Sequence, residues 1–407
     1  MFYYLSNVKV QFSIAYIILF VFCFQCSSNN KKKVENNISG NESLITIRVE
    51  DKIDNLIQYD SLFESFRAIP LETSSECLLN KPVKVVIHDH KFFIQDHNNV
   101  LYVFNIDGSY IRQIGNKGRG PEEFITLSDF DFDSLGNIYI IDRSKIVKYS
   151  SNGDHIRSFP LNYNTGGFIC YPEQLIVRDN SRFIIWGGSS GIRENENEDL
   201  YAMYEITESG EIINRYFPLI RKIDNRRHRF REYSQEHLID PLYGIDTIFS
   251  ICKDTVYAKY YIDFGKYRIP KEIPGNLTDF SSFKLEMDEC CASTVMDFTE
   301  INGWIYFVFR YQGLAYFNYY SKTLRKTFTY KYSSDYFPQK SIVWKIDSGW
   351  EDSFITLIEP THIIEQINRI DNMNHLSRKD RVLIESLESV DELDNPVLFI
   401  VKMKNYG

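Results

Sequence analysis

Three aspartates alternate at positions 129, 131 and 133, with Phe130 and Phe132 between them. On a strand this spacing puts the carboxylates on one face and the rings on the other. Asp129 and Asp131, together with His97, are the candidate set for a cation such as Ca²⁺ or Zn²⁺. The plainer reading is a solvated or channel-lining row of acids, because the run matches no EF-hand loop. His88, His90 and His97 lie close together in sequence with Asp89 and Asp96. That stretch reads as turn, with no second ligand set at a recognisable spacing. Apart from this metal alternative, no cofactor is expected.

A second candidate is the turn Gly118-Arg119-Gly120-Pro121-Glu122-Glu123. Its glycines permit tight backbone geometry, while Arg119, Glu122 and Glu123 offer charge to a ligand. A surface turn that is polar for solvation alone would look the same. A third is the basic run Arg221, Lys222, Arg226, Arg227, Arg229 and Arg231, set in an acidic chain. Arg226, Arg227 and Arg229 suit an acidic glycan, a carboxylate or an anionic partner, and equally a solvated loop. No H-E-x-x-H and no P-loop occurs, so neither signature supports metalloprotease or nucleotide chemistry.

The chain that must position these residues has 407 residues and a net charge of -9. Residues 1–33 hold four lysines and no acid, so the remainder is more acidic still. Such a body argues against nucleic acid, whose phosphates reward Lys and Arg. Aromatic residues reach 15%, a composition that favours strands.

The N-terminus reads as an address. Ile14 to Phe24 is an apolar run of eleven, with Lys9 ahead of it and Cys26 just beyond. A membrane-spanning helix needs about 20 apolar residues, so this is the shorter core of a secretory signal. The segment resembles a lipoprotein signal peptide, which would make Cys26 the lipidated first residue and would anchor the protein to a membrane. Cys23 is the competing site. Residues 27–43 are polar and aperiodic, and read as a flexible tether. Five cysteines remain in the body, an odd number with no zinc spacing. Adjacent Cys290 and Cys291 are read as thiols, with a vicinal disulfide as the alternative.

Beyond residue 82 short Val-, Ile-, Phe- and Tyr-rich runs alternate with turns about every ten residues, the mark of an all-β sandwich, barrel or propeller. Self-similarity narrows the choice. Val100–Gly115, Lys145–Phe159 and Leu200–Phe217 each combine a strand, a glycine turn (Gly108, Gly153, Gly210) and a second strand, and Gly313–Phe328 is a weaker copy. Each reads as the outer hairpin of a four-stranded unit that must stack on its neighbours around an axis.

Gly115 to Tyr149 is similar to an NHL repeat, through Gly118-Arg119-Gly120, Phe124, Asp129 to Asp133, Gly136-Asn137, Ile138 to Asp142 and Lys145 to Tyr149. From about residue 66 onward the chain resembles the six-bladed β-propeller lipoproteins of Bacteroidetes. The carrying segments are Ile69 to Thr73, Gly118 to Phe124, Asp246 to Phe249, Tyr261 to Pro270 and Asn395 to Lys404. The resemblance implies an all-β, six-bladed propeller over residues 44–407, after a signal peptide (1–26) and a tether (27–43). Six blades would take about 60 residues each, more than the ~40–45 of compact repeats, so the loops must be long. Phe66–Glu72 is expected to pair with Asn395–Lys404 and close the ring. Isoleucines at 363, 364, 367 and 370, and Leu383, Ile384, Leu387 and Val390, have helical spacing. They predict a short helical insertion at about 361–392 in the last blade.

The functional expectation is a cell-envelope, membrane-anchored protein, periplasmic or on the outer-membrane surface. It would act as a binding or scaffolding module for a peptide, a glycan or another envelope protein. The alternative is a lactonase-like hydrolase or a lyase with a metal in the channel.

Overall fold

A computed structural model describes residues 44–50, 62–161, 168–169, 172–179, 182–187, 192–193, 200–219, 230–233, 236–239, 246–252, 255–269, 291–331, 346–370 and 378–406. Two strands precede the first complete blade, β1 (Ile45–Arg48) and β2 (Phe63–Pro70). Blade one is β3 (Pro82–His88), β4 (Lys91–Asp96), β5 (Leu101–Asn105) and β6 (Tyr110–Ile114). Blade two is β7 (Asp129–Phe132), β8 (Ile138–Ile141), β9 (Lys145–Tyr149) and β10 (His155–Pro160). A two-stranded pair, β11 (Phe168–Ile169) with β14 (Ile192–Arg193), flanks blade three. That blade is β12 (Gln174–Asp179), β13 (Arg182–Trp186), β15 (Leu200–Thr207) and β16 (Ile212–Leu219). Blade four is β17 (Phe230–Tyr233), β18 (Glu236–Ile239), β19 (Thr247–Cys252) and β20 (Thr255–Asp263). Blade five is β21 (Ser293–Ile301), β22 (Trp304–Tyr311), β23 (Leu314–Ser321) and β24 (Lys326–Lys331). Blade six takes β25 (Ser348–Trp350), β26 (Ser353–Ile358) and β27 (Val397–Met403) from the end of the chain, and β2 from its beginning.

The fold is a six-bladed β-propeller. β2 pairs antiparallel with β27, from Phe63 opposite Met403 to Pro70 opposite Val397. The closure expected from the sequence therefore forms, with β2 starting three residues earlier. Six apolar clusters lie between successive blades, as a ring of half-buried sheets requires. Phe130, Ile138 and Val147 of blade two pack with Phe93, Leu101 and Val103 of blade one. The alternate residues Tyr139, Ile141 and Ile146 pack with Phe183 and Ile185 of blade three. Strand periodicity thus serves both faces of a blade, which explains the near-continuous apolar runs.

The repeated glycine turns have a packing reason. In blades one to three the outer strand of the preceding blade lies against the third turn. Gly108, at φ +91°, is so close to Pro70 that a Cβ would fall 2.3 Å from the Pro70 carbonyl oxygen. Gly153, at φ +86°, meets Ile114 in the same way, and Arg112 donates to the Asn152 carbonyl. In blade three the contact is ionic, Arg157 to Glu208 at 2.6 Å.

β1 was not legible in the sequence. It adds a fifth strand to blade four, parallel to β20, with Ile45 opposite Tyr260 and Arg48 opposite Asp263. Ile47 and Val49 enter the core between blades four and five. The helical insertion is present as α1 (Pro360–Asn368) and α2 (Arg378–Glu385). Ile363, Leu383 and Leu387 pack into the core of blades five and six. Both helices are shorter than their apolar spacing suggests. Beyond Glu385 the chain continues in tighter turns, with Leu387 N–H bonded to Ile384 and Val390 N–H to Leu387. Cys291 is buried, and Cys290 lies outside the described residues.

Successive strands within a blade are antiparallel, so connections alternate between two faces of the ring. The first and third turns of each complete blade are no longer than five residues, as at 89–90, 133–137 and 322–325. From β2 onward every connection of ten residues or more leaves the other face, including 115–128, 264–292 and 359–396, whereas the 49–62 connection reaches β2 at Phe63, opposite Met403 and beside the short turn at 351–352.

Candidate functional site

The inner strands place the alternating aspartates at the channel wall. Asp129 begins β7 and is buried. Its Oδ1 accepts from Lys84 Nζ of β3 at 2.7 Å, and its Oδ2 accepts the N–H of Leu175 on β12 at 3.0 Å. Asp131 repeats the second contact one step along, accepting the N–H of Val177 at 2.7 Å. β12 is the innermost strand of its blade, so one edge has no strand partner. Alternate N–H groups on that edge need acceptors, and the two-residue step of β7 supplies them.

Blade one holds the start of β7 from the other side. Lys84 also donates to the Phe130 carbonyl at 2.8 Å. Gln95 donates to the Leu127 carbonyl at 2.7 Å, and Asn99 accepts from Leu127 N–H. Blade four contributes His237 of β18, whose Nε2 lies 3.8 Å from Asp131 Oδ2. One carboxylate on blade two therefore meets blades three and four. Burial pushes Asp131 up to about 7, against the opposing pull of Lys84 and the N–H groups of Val177 and Phe132. Asp131 can thus take or release a proton near neutral pH. Asp133, the third of the row, caps its own turn instead, accepting from Leu135, Asn137 and Tyr139 and pairing with Lys148.

Asp129, Asp131 and His97 do not converge. His97 is exposed on the turn after β4, where its N–H is bonded to the Asn80 carbonyl. His88 and His90 stand at the opposite end of the β3–β4 hairpin from His97, since Pro82 pairs with Asp96 and His88 with Lys91. His88 stacks on Phe132, with centroids 4.2 Å apart, and burial lowers its pKa. Among the described residues no three His, Cys, Asp or Glu side chains come together to hold a metal ion. Ca²⁺ or Zn²⁺ at Asp129 and Asp131 would have to displace two backbone N–H donors and Lys84.

The Gly118–Glu123 turn is in part a structural device. Glu123 folds back to accept from Gly120 N–H at 2.8 Å. Blade two grips the turn's carbonyls through Lys145 to Gly120, Tyr149 to Glu122 and Ser158 to Pro121. Arg119 and Glu122 remain exposed, on the face of the long connections. Arg226, Arg227, Arg229 and Cys26 lie outside the described residues.

Sequence reasoning missed Lys84 and His237, whose roles depend on other blades. Lys84 carried a weak signal, as a cation alternating with Val86 and His88 on one strand face. It also passed over Gly187-Gly188-Ser189-Ser190-Gly191, which fits the letters G-x-S-x-G. In hydrolases that pattern turns a strand into a helix. Here Gly187 follows the second strand of an antiparallel blade and bonds to Ala202, and residues 188–191 lie outside the described set.

Fold and channel together define a closed six-bladed propeller whose inner strands are tied by side chains. The chain belongs to the family described as a domain of unknown function, DUF4934, whose model matches residues 44–402. No curated protein matches it. It is similar to a Bacteroides fragilis protein named as exported, with 18% identity and a TM-score of 0.68 over 89% of this chain and 100% of that one. That likeness shows the fold. A protein of unknown function from Bacteroides caccae (12% identity, TM-score 0.27, 47% of this chain and 69% of that one) is more distant. So is the Neurospora crassa Pan2 WD40 domain (11%, 0.34, 61% and 65%).

Proposed function

We propose that this chain is an exported propeller of the cell envelope, anchored through lipid on Cys26, that works as a binding or scaffolding module. The observation that carries the reading is the asymmetry of the ring: from β2 onward every connection of ten residues or more leaves one face, while the first and third turns on the other are at most five residues long. A rigid ring with its variable chain gathered on one side is suited to present a ligand surface to a peptide, a glycan or a second envelope protein. Arg119 and Glu122 belong to that surface. Export is supported by the apolar run ahead of Cys26 and by the name of the B. fragilis relative.

Photo-cross-linking residues introduced one at a time test the reading in cells that produce the protein. Positions 119 and 122 sample the long-connection face, and positions 135 and 152 the short-turn face. Adducts to a partner are expected from the first pair. Adducts confined to the second pair, or none from any position, would overturn the assignment. For the anchor, a Cys26→Ser variant is expected to lose incorporation of a labelled fatty acid.

A further inference from the structure

On the long-connection face, where blade six joins blade one, two leucines stand in the open. Leu393 is 82% exposed and Leu78 is 54% exposed. They come from distant parts of the chain and are held together by buried Asn395. Its side-chain amide donates to the carbonyls of Glu72 and Cys77 at 2.7 and 2.5 Å. Its Oδ1 accepts from Leu79 N–H at 2.7 Å, and its own N–H reaches Thr73 Oγ1 at 2.8 Å. Leu78 thus lies between two residues bonded to Asn395, and Leu393 is two residues ahead of it. Both backbones are fixed. Tyr102 donates to the Leu78 carbonyl, and Leu393 N–H is bonded to Asp391 Oδ1 in a turn closed by Asp394.

The surroundings are mainly acidic, with Lys81 and Arg381 at the margins of the two segments. Glu76, Glu388, Asp391 and Glu392 are all exposed. Neither residues 71–80 nor residues 382–396 contain a single Lys, Arg or His. Two exposed apolar side chains on fixed backbone, flanked by mainly acidic chain, have the anatomy of a docking point, with apolar anchors for affinity and charge for steering and selection.

We propose that Leu78 and Leu393 dock a basic segment of a partner protein, one that presents an apolar side chain between Lys or Arg residues. This rests on the binding-module reading and names the partner chemistry for one place on the same face. The backbone at both leucines is already ordered, so little is lost in fixing it on association. The acidic rim repels anionic surfaces and makes the contact sensitive to salt.

The test uses the full chain and a fluorescent peptide with one leucine between pairs of lysines, alongside a control peptide with serine in place of leucine. The leucine peptide is expected to bind, and to weaken as salt rises. Leu78→Ser with Leu393→Ser is expected to lower its affinity at least tenfold, with an unchanged melting temperature because both side chains are exposed. Glu388→Gln with Glu392→Gln keeps both leucines and is expected to flatten the salt dependence. Equal binding of the serine peptide, absence of binding, or an unaffected leucine variant would overturn the proposal. So would a dimer of the chain in sedimentation that the leucine variant dissolves, which would assign the patch to a second copy. Cross-links from position 119 that persist while the peptide fails to bind would remove this partner and leave the binding-module reading in place.

Discussion

Asp131 and Val177 are joined across two blades by one hydrogen bond of 2.7 Å, from backbone N–H to carboxylate. With the matching bond from Leu175 to Asp129, it gives the open inner edge of blade three a ladder made of side chains. An inner strand cannot be capped by another strand without filling the channel. Two alternating carboxylates do the same work in less space, which accounts for a spacing that otherwise suggests a metal site.

The carboxylate at 131 should make stability depend on pH. Its folded pKa of about 7 lies above the ordinary 3.8. The folded state therefore binds the proton more tightly, and stability falls as pH rises from about 4 to about 7, then levels. Asp131→Asn keeps an acceptor for Val177 and removes the charge. Urea unfolding between those pH values is expected to show a flatter profile for this variant and higher stability than wild type near pH 8. An unchanged slope would show that the group titrates elsewhere.

Breaking the neighbouring ion pair should be costly. Lys84 and Asp129 have side chains only 18% and 2% exposed. Lys84→Met leaves a buried carboxylate without its cation and is expected to destabilise by about 3–5 kcal/mol. Asp129→Asn in the same background retains the Leu175 contact and should recover part of the loss. A double-mutant cycle from denaturation curves measures the coupling.

Gly349 is expected to tolerate no side chain. A Cβ there would lie 2.6 Å from Ile301 Cγ2 and 3.1 Å from the Glu300 carbonyl oxygen, where inner strands β21 and β25 approach. Gly349→Ala should cost about 1–3 kcal/mol through overpacking, read as a lower melting temperature. Unchanged stability would mean that the two strands separate more easily than their packing implies.

Asn395→Ala should open the join between blades six and one. The side chain makes three hydrogen bonds to backbone in a buried setting. Leaving those groups unpaired is expected to cost about 2–4 kcal/mol. Faster hydrogen exchange at Leu79 would localise the effect, and exchange raised equally around the ring would refute a local role.

Deletion of residues 1–50 should leave a folded ring, because closure depends on β2 with β27 and not on β1. The loss of Ile47 and Val49 from the blade four–five core should lower the melting temperature without changing the strand content seen by circular dichroism.

Local pattern alone determined much of this molecule. The period-two apolar runs of blades one and two, the glycine turns at 108 and 153 and the helical insertion are each written in a few neighbouring residues, whereas the closing pair Phe66–Glu72 with Asn395–Lys404 was expected through the resemblance to a six-bladed ring. The local features are legible because strand, turn and helix preferences act over short spans. Tertiary structure decided the rest. Whether Asp129 met a metal, water or Lys84 depended on which blade stood beside it. His237 reached Asp131, and β1 found the edge of β20, only because the closed ring fixed distances between segments far apart in the chain. The same holds for Leu78 and Leu393. Each is an ordinary exposed leucine in its own segment, and a single buried asparagine ties the two loops that carry them.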